Sequence, residues 1–193
     1  MSADIDIDFA DRSRILELIR HTPAMQIHEG RPRKHNSGVY VTDVPYDPIN
    51  DCSAIDYKQA EDRGYFKIDF LNVNVYNLIP DVDTYNTLLN TPTKWELLND
   101  RDFCQQIVHI NNHYDTLVKM PEPVNSIPRM AMFLALIRPA KRHLIGDPWQ
   151  SIAQHIWTPP TDGSYFFKKS HAVAYAHLVA LNISIVDFAN QGN

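Results

Sequence analysis

Apolar and polar residues alternate one by one over residues 3–9, Ala-Asp-Ile-Asp-Ile-Asp-Phe. A period of two predicts a β-strand with Asp4, Asp6 and Asp8 on one face and Ile5, Ile7 and Phe9 on the other. The spacing then turns helical over 11–20, DRSRILELIR, with Asp11 as N-cap and Ile15, Leu16, Leu18 and Ile19 as the apolar side. Residues 22–37 are polar and carry Pro23, Gly30 and Pro32, which predicts a loop. GVYVT at 38–42 favours a strand, and Pro45, Pro48 and Asn50 mark a second loop. YFKIDFLNV at 65–73 is β-prone, and 74–80 begins a helix that stops at Pro80.

Beyond residues 80–84 the pattern changes. TYNTLL, TKWELL, DFCQQIVHI and DTLVKM read as short helices between polar and proline signals. IPRMAMFLALIRP is a more apolar helix ending near Pro139, and SIAQHIW and SHAVAYAHLVALNISIVDF complete a helical half. The expected architecture is α/β: a mixed sheet with helices over 1–80, then an all-α region over 81–193.

Bulk composition narrows the function only a little. The chain has 193 residues, 44% hydrophobic and 21% charged, enough for one domain or two small ones. A net charge of -5 gives no general basic signature, so a nucleic-acid ligand would need local basic patches and metal ions. Cys52 and Cys104 lie far apart with no ligand spacing. Reduced thiols are the default, and a disulfide is the alternative. No apolar run suggests a membrane span, and the acidic start is unlike a signal peptide. A soluble, cytoplasmic protein without membrane association is expected.

Three like charges in one row repel each other, and two explanations compete. The first is a solvated edge strand whose acids discourage pairing. The second is a divalent-cation site. Phe66-Lys67-Ile68-Asp69-Phe70 sharpens the question, because it places another acid, with Lys67 on the same face, inside an apolar strand. Beside the first strand, Asp69 would join Asp6 and Asp8. Like charges so close oppose ionisation. Two Mg²⁺ ions about 4 Å apart reverse this, and such pairs support phosphoryl transfer.

ADIDIDF followed by DRSRILELI resembles the active-site strand and helix of the alpha subunits of bacterial DNA polymerase III, the C-family replicases. That family's strand reads proline, then acid-x-acid-x-acid-Phe. Asp6 and Asp8 match its metal-binding acids, Asp4 its less certain first acid, and Ala3 replaces its proline. Arg33-Lys34-His35-Asn36-Ser37-Gly38-Val39-Tyr40-Val41 is similar to its stretch with His, then Gly-Val-Val. Ala54-Ile55-Asp56-Tyr57 and then Gly64 to Leu71 are similar to its third-acid strand, Lys-Phe-Asp-Phe-Leu-Gly, with Asn72 in place of glycine. Trp95-Glu96-Leu97-Leu98 resembles the start of the fingers. Leu134-Ala135-Leu136-Ile137-Arg138-Pro139 resembles a helix ending Tyr-Arg-Pro-Gly. Phe167 to Ala176 is similar to Phe-Asn-Lys-Ser-His-x-x-x-Tyr-Ala, with Lys168 replacing asparagine.

The resemblance implies a reduced DNA polymerase beta-like nucleotidyltransferase palm followed by α-helical fingers. It implies that Asp6, Asp8 and Asp69 bind two Mg²⁺ ions, with Mn²⁺ as a substitute, and that Asp69 helps activate a 3′-hydroxyl. It implies that Lys67, Arg138, Lys169 and His171 hold triphosphate oxygens of a deoxynucleotide and that Ser170 faces it. DNA is the expected partner. Against that family's pattern, the stretch that holds the thumb and the Gly-Ser helix before the first strand are expected to be missing. Three explanations follow: a second polypeptide or homodimer completes the palm, the site is rebuilt, or the fold is kept for non-catalytic nucleic-acid binding or assembly. Small size suggests a phage or mobile element. The catalytic reading requires Asp69 alongside Asp6 and Asp8. A salt bridge in the cations' place would end that reading and leave the ancestry intact.

Other candidates are weaker. His109 and His113 at i, i+4 could share a helix face and bind Zn²⁺, but no third ligand is evident, and an ordinary pair is the alternative. Arg31, Arg33 and Lys34 form one basic loop. Helical spacing puts Arg138, Lys141 and Arg142 near one face. Tyr165, Phe166 and Phe167 either stack on bases or pack in a core. Ser170 is a natural N-cap for the last helix.

Overall fold

The computed structural model describes residues 5–161 and 166–192. Asp4 and Tyr165 lie outside the described residues. The chain divides into two compact units, 1–77 and 78–193.

The first unit is built on a four-stranded sheet. Its strands are β1 (Ile5–Phe9), β2 (Thr22–His28), β3 (Arg31–Tyr40) and β6 (Ile68–Asn72), in the spatial order β1-β6-β3-β2. β1 runs parallel to β6, while β6–β3 and β3–β2 are antiparallel. Two-residue strands β4 (Tyr46–Asp47) and β5 (Cys52–Ser53) pair separately. Helix α1 (Arg12–Leu16) follows β1, and α2 (Tyr57–Asp62) precedes β6.

Residues 22–37, expected as a loop, are instead most of a β-hairpin. Glu29 and Gly30 form its two-residue turn, with φ of 50° and 75°. Positive φ at both positions is the geometry whose twist matches the flanking strands. His28 and Arg31 flank the turn, and Ile27 faces Pro32 in the next pair. That second pair exchanges no ladder bonds, so the missing N–H of Pro32 costs nothing there. Prolines that suggested a loop thus sit where a strand tolerates them.

Helix α1 is shorter than its sequence pattern. Asp11 caps it as expected, accepting from the Ser13 amide at 2.9 Å. None of its residues is buried, and Leu18 is 81% exposed, so no packing extends it beyond one turn and a half. Asn72 adds a second cap, accepting from the Arg12 amide at 2.8 Å. One apolar cluster of this unit gathers Ala24, Tyr40 and Ala60 under Val44, Ile55, Tyr57 and Tyr65. On β1 and β6, Phe9 and Phe70 pack ring to ring at 5.1 Å.

The second unit is helical: α3 (Val82–Asn90), α4 (Arg101–Gln105), α5 (Tyr114–Leu117), α6 (Ile127–Leu136), α7 (Trp149–His155) and α8 (Lys169–Gln191), with 3₁₀ turns at 95–99 and 139–144. Its axis is α8, which packs along α6. Residues Leu178 to Val186 are buried all round, and Ala172, Ala176 and Ala180 repeat every four residues to let neighbours approach. By length and composition α8 is apolar enough to cross a membrane, contrary to expectation. However, 56% of its apolar window is buried inside the unit. Both cysteines are free and buried, Cys52 in the first unit and Cys104 in the second.

Candidate active site

Strand register decides where the acids fall. On the parallel pair β1–β6, Asp6 is the direct partner of Asp69, and Asp8 lies opposite Leu71. Direct partners share a sheet face, as do residues two apart. Asp6, Asp8, Lys67 and Asp69 therefore occupy one face, and Ile7, Phe9, Ile68 and Phe70 the other. On the far side of β6, Gly38 of β3 is the partner of Asp69. The row across three strands reads Asp6, Asp69, Gly38.

Asp69 is largely buried, and both of its oxygens are engaged. Lys67 Nζ donates to Oδ2 in a close ion pair, and Ser37 Oγ donates to Oδ1 at 2.6 Å. Burial pushes this carboxyl up, but the bonds from Lys67 and Ser37 and the nearby positive charge outweigh it. The net result lies below the usual carboxylate range. Asp8 behaves oppositely. Burial lifts its carboxyl, the Tyr76 hydroxyl at 3.4 Å opposes this, and the charge on Asp6 adds to it.

His35 Nδ1 lies 3.6 Å from Asp69 Oδ1, too far for a hydrogen bond. That nitrogen accepts from the backbone amides of Gly38 at 2.9 Å and Ser37 at 3.3 Å. An accepting nitrogen carries no proton, so His35 is the neutral tautomer protonated on Nε2. Burial, then the charge of Lys67, depress its pKa in agreement. The ring meets Tyr57 edge-on at 5.2 Å, and Lys67 Nζ lies 6.0 Å from the same ring.

These residues do not form a two-cation centre in this arrangement. Asp69 is turned toward β3 and neutralised by Lys67, while Asp6 and Asp8 lie on β1. Among the described residues no group of three His, Cys, Asp or Glu side chains stands close enough to hold a metal ion. The shared face is as expected. The ion pair is the feature that counts against cation binding.

The remaining candidates lie in the second unit. Arg138 follows α6 with its guanidinium 4.9 Å from the Phe167 ring centre, and its buried Nε has no hydrogen-bond partner among the described residues. Phe167 stacks on His171 at 6.1 Å and on Tyr175 at 5.5 Å, and Tyr175 meets His109 at 4.4 Å. The structure thus brings Arg138 and His171 to one aromatic group. Lys169 and Ser170 are the first two residues of α8. Ser170 is not the N-cap: Lys168 holds that position, and among the described residues no side chain caps the helix. Phe167 is buried, so it is packed rather than displayed for base stacking.

Two sequence expectations fail here for physical reasons. His109 has φ of 67°, which breaks the helix that would have aligned it with His113. Burial, then the charge of Arg138, hold both histidines below their ordinary pKa. Lys141 is not part of a displayed basic face. It is buried, and its Nζ donates to the carbonyls of His155 at 2.8 Å and Thr158 at 2.7 Å, closing the end of α7. Arg142 Nε likewise donates to the Ile137 carbonyl at 3.1 Å.

Ser37, Gly38, His35 and Tyr76 surround the acids, and no role was assigned to them from sequence. The first three lie in the stretch quoted for its His and Gly, which was the available signal. Comparison with known protein families, curated proteins and solved structures finds no match for this chain.

Proposed function

We propose that the chain is a nucleotidyltransferase related to the polymerase III alpha subunits. It adds deoxynucleotides to a 3′-hydroxyl of DNA in the presence of Mg²⁺ or Mn²⁺, and Lys67 closes its acidic centre in the arrangement described. The observation that carries this reading is register: Asp6 faces Asp69 across parallel strands 63 residues apart in sequence, with Asp8 on the same face. A solvated edge strand accounts for acids on β1. It does not account for a largely buried acid directly opposite them on the interior strand β6. The mixed sheet and following helices suit a palm followed by fingers. Arg138, His171 and the uncapped start of α8 at Lys169 and Ser170 suit triphosphate oxygens, because an open helix N-terminus offers N–H groups to an anion.

The second reading is a non-catalytic nucleic-acid-binding or assembly protein. It is favoured by the Lys67–Asp69 pair, which already neutralises the third acid. Under either reading β1 has one neighbour among the described strands, so a second polypeptide or another copy of the chain has a free strand edge to pair with.

The deciding experiment is primer extension with Mg²⁺ or Mn²⁺, run beside an Asp6→Asn/Asp8→Asn double variant. Incorporation that the double variant loses supports the enzyme. Deoxynucleotide binding with no turnover in the wild type sinks it and leaves the second reading.

A further inference from the structure

The sheet of the first unit has two edges, and the fold treats them differently. At the β2 edge the Met25 amide donates to Ser53 Oγ at 3.1 Å, and Met25 bridges Asp56 in parallel register, so the segment 53–56 covers that edge. At the β1 edge no described strand follows, and β6 is the one described element that β1 packs against extensively.

One bond shows which backbone groups face outward. The Phe9 carbonyl accepts from the Val73 amide at 2.7 Å, so Phe9 turns its peptide groups toward β6. Along a strand these directions alternate. Ile5 and Ile7 share the side of Phe9, and Asp6 and Asp8 aim N–H and C=O away from the sheet. The side chains sort as cleanly. Asp6 and Asp8 stand on one sheet face, and Ile5 and Ile7, on the other, are 42% and 38% exposed.

This pattern selects what can pair there. A second copy of β1 laid alongside with like faces matched would set acid opposite acid, which is destabilising. A strand with Lys or Arg at every second position sets cation opposite acid and lays its apolar residues beside Ile5 and Ile7. The acids thus act against self-pairing and for a basic partner.

We propose that the β1 edge takes an extended segment of another protein, with basic and apolar residues in alternation, as a fifth strand of the sheet. Main-chain bonds to Asp8 anchor the segment, its cations meet the carboxylates of Asp6 and Asp8, and its apolar side chains cover Ile5 and Ile7. This gives the free edge noted above a partner of definite chemistry and depends on neither reading of the function.

The test uses the full chain. The probe is a fluorescein-labelled peptide of four Lys-Val repeats with blocked ends, followed by anisotropy and by amide exchange resolved with NMR. At ten times its Kd the peptide should slow exchange of the Asp8 amide about tenfold. The Ile7 amide, which already faces β6, should change little. Four lysines followed by four valines carry the same charge and composition and should bind far more weakly, and four Glu-Val repeats should not bind. Asp6→Asn/Asp8→Asn should weaken the probe several-fold, as expected for losing two cross-strand charge pairs. Asp8→Pro removes the same charge as Asp8→Asn and also the outward N–H, so it should abolish binding that Asp8→Asn only weakens.

If Asp8→Pro fails to fold, exchange at Asp8 carries the test. Equal binding of the two lysine peptides, or binding that leaves Asp8 exchange unchanged, reduces the contact to charge attraction and overturns the proposal. An Asp8 amide slow to exchange in the chain alone means the edge is already covered, by a second copy where sedimentation shows a dimer, and overturns it as well. So does binding by none of the peptides. Each of these results leaves the primer-extension outcome, and with it the proposed function, undecided.

Discussion

Replacing Lys67 by methionine should destabilise the sheet unit at neutral pH and cease to do so in acid. The substitution keeps the stem's volume and removes the ammonium. At pH 7 it leaves a largely buried carboxylate with Ser37 as its remaining partner. Breaking a fully buried pair costs roughly 3–5 kcal/mol, and a hydrogen bond to a charged group is worth roughly 1.5–3 kcal/mol. Both partners keep some solvent contact, with side chains 17% and 11% exposed, so we expect about 2 kcal/mol.

The sign follows from Asp69. Its folded pKa lies below the ordinary value. That contribution to stability is complete above the unfolded pKa and is lost as pH falls through the folded one. In Lys67→Met the dominant remaining influence is burial, which raises the folded pKa, so the variant's penalty disappears on acidification. The wild-type advantage should therefore shrink as pH falls into and below the ordinary carboxylate range, where first the variant's Asp69 and then that of the wild type takes up a proton. Amide exchange over 68–72, converted to opening free energies at several pH values, measures the difference while other titrating groups cancel. A difference independent of pH would refute the reasoning, because it would mean that the pair contributes packing and not charge.

Two further substitutions probe the fold. Glu29→Asn should stabilise the β2–β3 hairpin by about 0.5–1 kcal/mol, because asparagine accepts the positive φ that this exposed glutamate now adopts; exchange protection over 22–40 measures it. Lys141→Met should lower the thermal midpoint of the helical unit by several degrees, following Trp149 and Trp157 fluorescence, since it strands the His155 and Thr158 carbonyls at a cost of about 2–3 kcal/mol. Unchanged stability there would return Lys141 to the displayed basic surface read from spacing.

The legible features were those written in a local period. Alternation identified β1 and β6 and put the acids on one face, because a strand's side chains have only two faces. The long apolar pattern of 170–188 identified α8 for a similar reason. The hairpin was missed because its turn depends on a glutamate in a conformation usual for glycine or asparagine, and composition is silent about that. The failed HINNH alignment has the same origin in the φ of His109. Lys141 misled because spacing reports which residues share a face and not whether that face is covered. Most consequential is Lys67. Its shared face with Asp69 was readable, but its stem lies in the room left by the missing side chain of Gly38, 29 residues away, on a strand whose pairing sequence periodicity does not specify.

The central place of α8 bears on how the protein is made. It is the last element of its unit to leave the ribosome, yet its side chains fill the interior against which α6, α3 and the 3₁₀ turn at 95–99 pack. Those helices must wait with their apolar residues bare, within reach of chaperones, until residue 186 has left the exit tunnel. The sheet unit has all its strands by residue 72 and can assemble much earlier. Synthesis thus separates the two halves in time, with the helical one closing in a single late step.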